Sequence, residues 1–263
     1  MKDWDYENEQ WTKLPVHLKH LPLFTRYYDI TSLIIRAAWA AFLNLFFKTY
    51  IRLKVVGDFH EVAKNNPRLL VISNHASHLD AISIAAAIPF RYWLDLYIAA
   101  AKDYFFSNPL FTFFSQHCLG AIPIDRKDKK GEAIMLCTSL LTNLKNIWLI
   151  IFPEGTRSKD GYLQEFKRGI SVFSERTNTP ILFLFIDGNA ELWPKGRFFA
   201  KMGKLTVHVG PVQQPAPIEE ISKNYRDWVL TITHKPFRPE QLEELGPQFD
   251  FEGTNEEEKK HTL

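Results

Sequence analysis

The chain has 263 residues, of which 46% are apolar, and a formal net charge of +2. The apolar fraction is close to the globular average, so a sizeable core fits one large domain or one domain plus an appendage. The near balance of charge excludes any whole-protein electrostatic argument for nucleic acid as a partner.

The N-terminus, Met1-Lys2-Asp3-Trp4-Asp5, is polar and acidic and lacks the basic then apolar profile of a signal peptide. Residues 30–47 are the most apolar long segment, but they include Arg36 and Asn44. A spanning helix needs about 20 mostly apolar residues, and a mid-bilayer arginine costs about 2.5 kcal/mol or more. A single clean span is therefore not expected. Arg26, Lys48 and Arg52 flank the run, and Tyr27, Tyr28, Trp39 and Tyr50 punctuate it. That pattern suits a helix lying in a membrane interface, with a helix packed on the protein's own core as the alternative.

From residue 51 to 213, short apolar runs alternate with amphipathic stretches. Strands are expected at 69–73, 96–101, 121–124, 147–152, 181–186 and 205–209. Helices are expected at 79–87, at 131–146, where Ile134, Cys137, Leu140, Leu141 and Leu144 recur at helical spacing, and at 169–177. The alternation predicts an α/β fold, a single mixed sheet flanked by helices, preceded by a membrane-interfacial helical segment. Three regions follow: an N-terminal helical, membrane-associating segment over 1–50, the α/β domain over 51–213, and a C-terminal helical extension with a frayed tail over 214–263. Helices are expected at 218–234 and from Pro239 in that last region. Cys118 and Cys137 show no zinc spacing and sit in apolar surroundings, which reads as two buried free thiols. Nothing in the chain requires an oxidising compartment.

Two segments leave the ends of expected strands, where α/β folds build their sites. The first is Asn74-His75-Ala76-Ser77-His78-Leu79-Asp80. With His75 at a strand end and Asp80 one turn into the next helix, the two side chains can meet. A carboxylate bound to one ring nitrogen fixes the tautomer and raises basicity at the other, which can then take a proton from a hydroxyl. Asn74 can brace the turn, and Ser77 can cap the helix. His75, His78 and Asp80 as a metal group, and hence a metallohydrolase, is a rival reading. The spacing departs from the dinuclear pattern His-x-His-x-Asp-His, so no metal and no cofactor is expected. No Gly-x-Ser-x-Gly supplies a serine nucleophile.

The second segment is Phe152-Pro153-Glu154-Gly155-Thr156-Arg157-Ser158. Gly155 permits a turn that a side chain would block, and Arg157 offers a planar fork for phosphate. Thr156 and nearby amides can add donors. Glu154 can orient Arg157 or bind a substrate hydroxyl. Arg126, at the end of Gly120-Ala121-Ile122-Pro123-Ile124-Asp125-Arg126, and Lys167-Arg168 can join Arg157 in a basic pocket over the same sheet edge.

Together these segments resemble the phospholipid/glycerol acyltransferase family, whose members include 1-acylglycerol-3-phosphate acyltransferases. Asn74-His75-x4-Asp80 resembles its first block, and Gly120 to Arg126, preceded by Lys102 and Pro109, its second. Phe152 to Ser158 matches the third closely, and Thr179-Pro180-Ile181 resembles the fourth. Ala76 stands where many members carry a polar residue, and Lys167-Arg168 is unusually basic.

The resemblance implies an O-acyltransferase. His75 would deprotonate the acceptor hydroxyl with Asp80 holding its ring, and the alkoxide would attack a fatty-acyl thioester without an acyl-enzyme. Arg126, Glu154, Gly155, Thr156, Arg157 and Lys167 would bind the glycerol-phosphate part, with Asn74 and Lys102 in support. The implied donor is acyl-CoA or acyl-carrier protein. The implied acceptor is a lysophospholipid, first 1-acylglycerol-3-phosphate, with glycerol-3-phosphate, another lysophospholipid or a lyso-aminolipid as alternatives. The implied setting is a membrane surface, on the cytoplasmic face. A catalytically idle membrane-binding protein is the reading from another class, and intact His75 and Asp80 argue against it.

Overall fold

The computed structural model describes residues 30–124 and 132–243. Within them, seven strands form one mixed sheet: β1 (Ile51–Val56), β2 (Arg68–Ile72), β3 (Leu96–Ala101), β4 (Ala121–Ile124), β5 (Ile147–Ile151), β6 (Ile181–Asp187) and β7 (Gly203–Gln213). Their order across the sheet is β1-β7-β6-β2-β5-β3-β4. Strands β2 to β6 run parallel, β7 is antiparallel to β6, and β1 is parallel to β7.

The central strands are nearly uninterrupted apolar runs because helices cover both of their faces. Leu69 and Val71 of β2 point into one core, and Leu70 and Ile72 into the other, as the two-residue period of a strand requires. On the first face lie α1 (Ile30–Thr49), α2 (Phe59–Asn65) and α3 (Asp80–Ala87). On the second lie α6 (Glu132–Asn143), α7 (Gly169–Thr177) and α9 (Ile218–Leu230). The short helix α4 (Lys102–Phe105) and α5 (Pro109–Leu119) follow β3, α8 (Asn189–Leu192) follows β6, and α10 (Pro239–Glu243) closes the described chain.

All six expected strands are present, and the single mixed sheet is as expected. Strand β1 is an addition. Its Arg52 and Lys54 alternate with Ile51 and Leu53, a charged pattern suited to a sheet edge rather than to a buried run. Helix α9 ends four residues before the expected 234, where tightened bonds from the Thr231 and Ile232 amides to Trp228 and Val229 close its last turn. Cys118 and Cys137 are buried free thiols, and burial pushes Cys137 up to about 12.

Helix α1 has two faces. Ala40, Leu43 and Phe47 are in the core, whereas Ile34, Phe42 and Leu45 are exposed. Arg36 is buried on the inner face, where its Nη1 donates to the Trp93 carbonyl at 2.8 Å. The arginine that interrupts the apolar run is thus accommodated by protein. Among the described residues no helix is long and apolar enough to cross a membrane. Residues 1–29 and 244–263 lie outside the described residues.

Candidate active site

Strands β2 and β5 are parallel neighbours with Ile72 opposite Ile151, so the two sequence motifs leave the sheet side by side at the carboxyl ends. Two hydrogen bonds from main-chain amides tie the loops together. The His75 amide donates to Glu154 Oε1 at 2.9 Å, and the Ser158 amide donates to the His75 carbonyl at 2.7 Å.

Asp80 opens α3 and is fully buried. Its Oδ2 accepts from His75 Nδ1 at 2.8 Å and from the Ala76 and Ser77 amides at 2.8 and 2.9 Å. Its Oδ1 accepts from Asn189 Nδ2 at 2.8 Å. Four donors and the start of a helix compensate a buried carboxylate for its lost water. The bond to the carboxylate favours a proton on Nδ1, so the neutral ring carries its free lone pair on Nε2. The ring stacks on Phe152, with centroids 4.0 Å apart and planes at 15°, and the side chain remains 21% exposed. A base oriented in this way, and still open to a substrate, can accept a proton from a hydroxyl.

Asn74 holds the strand end. Its Nδ2 donates to the Ile186 carbonyl at 3.0 Å, and its Oδ1 accepts from the Ile186 amide at 2.8 Å, which prolongs the β2–β6 ladder through a side chain. The Asn74 amide donates to Tyr225 Oη, and Tyr225 in turn donates to the Leu184 carbonyl. Ser77 does not cap α3 in the expected manner. Its Oγ donates to the Trp193 carbonyl at 2.8 Å and accepts from the Leu79 amide, and the amides ahead of the helix are satisfied by Asp80.

On the second loop, Glu154 is buried rather than paired with Arg157. Its Oε2 has no hydrogen-bond partner among the described residues. Burial pushes its carboxyl up to about 8, the Asp80 charge adding to the rise and the His75 amide opposing it. Gly155 has φ +72°, and a Cβ there would lie 2.6 Å from Lys167 Nζ. Glycine is thus what lets the Lys167 ammonium lie against the turn. Thr156 is exposed, and Arg157 is half-buried. Arg157 Nη1 lies 2.6 Å from Nδ1 and 2.5 Å from Nε2 of His78, whose pKa is lowered by burial and then by that guanidinium, which favours the neutral imidazole beside the cation. His78 therefore serves Arg157, while His75 and Asp80 bond to each other.

The structure brings His75, Asp80, Asn74, Glu154, Gly155, Arg157 and Lys167 to one sheet edge. Lys102 begins α4 at the carboxyl end of β3, one strand beyond β5. Arg126 lies outside the described residues. The sequence reading missed Asn189 and Tyr225. Asp187-Gly188-Asn189 after an apolar strand is a turn signature that could have pointed to the first, whereas Tyr225 lies on a distant helix with no local signal.

Residues 54–186, half of the chain, match the family model described as Acyltransferase. The chain is 32% identical over 170 residues to a 1-acyl-sn-glycerol-3-phosphate acyltransferase of Limnanthes douglasii, covering 61% of this chain and 54% of that protein. It is 36% identical over 148 residues to the protein of that name from Helicobacter pylori, covering 54% of each. With the mouse 1-acyl-sn-glycerol-3-phosphate acyltransferase alpha it shares 29% identity over 206 residues, 74% of this chain and 67% of the relative. The chain spans about half the length of the plant and bacterial relatives it matches. The crystal structure of a Thermotoga maritima 1-acyl-sn-glycerophosphate acyltransferase superposes with a TM-score of 0.61 at 22% identity, covering 80% of this chain and 84% of that one, so the fold is shared.

Proposed function

The chain belongs to the acyltransferase family, and on that ground we propose that it transfers a fatty-acyl group from acyl-CoA or acyl-carrier protein to the free hydroxyl of 1-acylglycerol-3-phosphate, giving phosphatidate. The observation that carries this reading is the oriented, partly open imidazole of His75, with Asp80 behind it at 2.8 Å and the Glu154–Arg157 loop bonded to its main chain. His75 Nε2 takes the acceptor's hydroxyl proton as that oxygen attacks the thioester carbonyl carbon. The carbon–sulfur bond breaks, the new ester stays on the acceptor, and the proton passes from the imidazole to the departing sulfur. No acyl-enzyme forms.

Arg157, Lys167 and Arg126 bind the acceptor phosphate, with Gly155 and Thr156 contributing main-chain and hydroxyl donors. Asn74 and Lys102 support the strand ends around them. The relatives' names favour lysophosphatidate over glycerol-3-phosphate, another lysophospholipid or a lyso-aminolipid as the acceptor. The exposed Ile34, Phe42 and Leu45 of α1 support action at a membrane surface, and the cytoplasmic face is part of the proposal. The test is purified protein with a labelled acyl donor and a panel of these acceptors. Diacyl product from lysophosphatidate is expected, and absence of any acylated product across the panel would defeat the proposal.

A further inference from the structure

Between α8 and β7 a loop carries three bare apolar side chains. Phe198 is 82% exposed, Phe199 73% and Met202 68%, and no other large apolar side chain among the described residues is as open. Such a cluster marks a contact surface. Cations are interleaved with it: Lys195, Arg197, Lys201 and Lys204 are all exposed, and no acidic residue lies between Glu191 and Glu219. Across the β1–β7 ladder the exposed Arg52 stands opposite Lys204. Apolar tips set among four exposed cations, with Asp187 and Glu191 flanking the loop's start, complement an anionic lipid surface, rings toward the acyl boundary and cations toward phosphates.

The loop is braced rather than tethered. Trp193 Nε1 donates to the Arg197 carbonyl at 2.9 Å, and the Lys201 amide donates to the Leu192 carbonyl at 2.8 Å. Tyr50 Oη donates to the Ala200 carbonyl at 2.9 Å. Tyr50 ends a series of rings along α1, Trp39, Phe42, Phe46 and Tyr50, with successive centroids 5.2, 6.2 and 5.5 Å apart. The loop tip is thus joined to the exposed stripe of α1. At its other end the Trp193 carbonyl accepts from Ser77 Oγ and the His78 amide, both within the motif that carries His75.

We infer that this loop is a second lipid-engaging element, which seats Phe198 and Phe199 in the boundary layer of an anionic bilayer and sets the distance of the His75–Asp80 pair from that surface. The inference draws its purpose from the proposed acyl transfer, but vesicle binding is read without turnover, so failure of one is distinguishable from failure of the other.

The experiment uses the full chain carrying Phe198→Cys, labelled with an environment-sensitive dye, the native cysteines being buried. Vesicles of phosphatidylcholine with phosphatidylglycerol should raise and blue-shift the emission, less so at high salt, and phosphatidylcholine alone should do so weakly. Phe198→Ser with Phe199→Ser should lower vesicle partition about tenfold or more, with an unchanged melting temperature and unchanged turnover on a monomeric short-chain acceptor. Arg197→Gln with Lys201→Gln should remove the preference for anionic lipid. Unaltered dye emission on vesicles that sediment with the protein would overturn the inference, as would full partition by the double serine variant. A dimer abolished by that variant, with no dye response to lipid, would assign the patch to a second copy and overturn it too.

Discussion

The main-chain amide of His75 donates to Glu154 Oε1 at 2.9 Å, so the loop that presents His75 is bonded to the buried carboxyl of the neighbouring loop. Burial pushes that carboxyl up to about 8, and its charge is therefore disfavoured in the folded state relative to the unfolded chain. The folded protein holds a proton there that the unfolded chain releases above its ordinary carboxyl range near 4.5. The stability contributed by that proton is complete below the unfolded value and is lost as pH rises through the folded one. The wild-type melting temperature should fall between about pH 5 and pH 8 on this account. Glu154→Gln keeps an acceptor for the His75 amide and cannot ionise, so its melting temperature should fall less over the same window. Parallel melting curves for the two proteins across that range would remove Glu154 as the cause.

His75 and Asp80 are bonded to each other but are expected to fail differently. The His75 side chain is 21% exposed, and among the described residues its ring hydrogen-bonds to Asp80. His75→Ala should lower kcat by about 10² to 10⁴ with little change in melting temperature. Asp80 is wholly buried and receives four donors. Asp80→Asn brings an NH₂ against those donors and should cost about 1–3 kcal/mol or more of stability in addition to activity. Urea denaturation of the two variants beside the wild type checks the contrast. Equal loss of stability in both would show that the pair is a structural unit rather than a base with its support.

How much of this was legible in the sequence depends on locality. β2 and β5 were readable because strands covered on both faces are unbroken apolar runs, and the two motifs begin where those runs end. The His75–Asp80 contact was readable because it is five residues long and crosses a strand-to-helix turn. The bond from His75 to Glu154 spans 79 residues and depends on β2 and β5 being neighbours, a pairing no local pattern states. Asn189 and Tyr225 reach the site across 109 and 151 residues for the same reason. Glu154 illustrates the limit further. Its residue type suggested a group that orients Arg157 or binds a substrate hydroxyl, and only the packing of two loops buries it. β1 escaped notice because an edge strand carries charge where a central strand carries apolar side chains.

Arg157 rests on the His78 ring, 2.6 Å from Nδ1, and so is held at the rim by a residue of the other loop. If it grips the acceptor phosphate, Arg157→Ala should raise the acceptor KM by at least about tenfold and change kcat less. Arg157→Lys should recover only part of the loss, because an ammonium lacks the planar fork. His78→Ala leaves the guanidinium in place without its rest and should raise KM less than Arg157→Ala does. Steady-state kinetics with the acceptor varied at saturating donor distinguishes these. An unchanged KM in Arg157→Ala would count against phosphate binding there.

Helix α1 has a buried face and an exposed face, and a deletion cannot test them apart. Leu43, Phe47 and Arg36 are buried in the same core as β2 and α3, whereas Ile34, Phe42 and Leu45 face outward. Removing residues 1–50 would open the first core and unfold the domain, so release from vesicles in that variant would say nothing about the outer stripe. Single-face substitutions do separate the two. Leu43→Ala should cost about 2–5 kcal/mol of stability through its cavity and leave vesicle binding per folded molecule unchanged. Ile34→Ser, Phe42→Ser and Leu45→Ser together remove apolar area already in water, so the melting temperature should hold while vesicle flotation weakens by about tenfold or more. If the triple variant floats as the wild type does, the outer face of α1 is not what meets the bilayer.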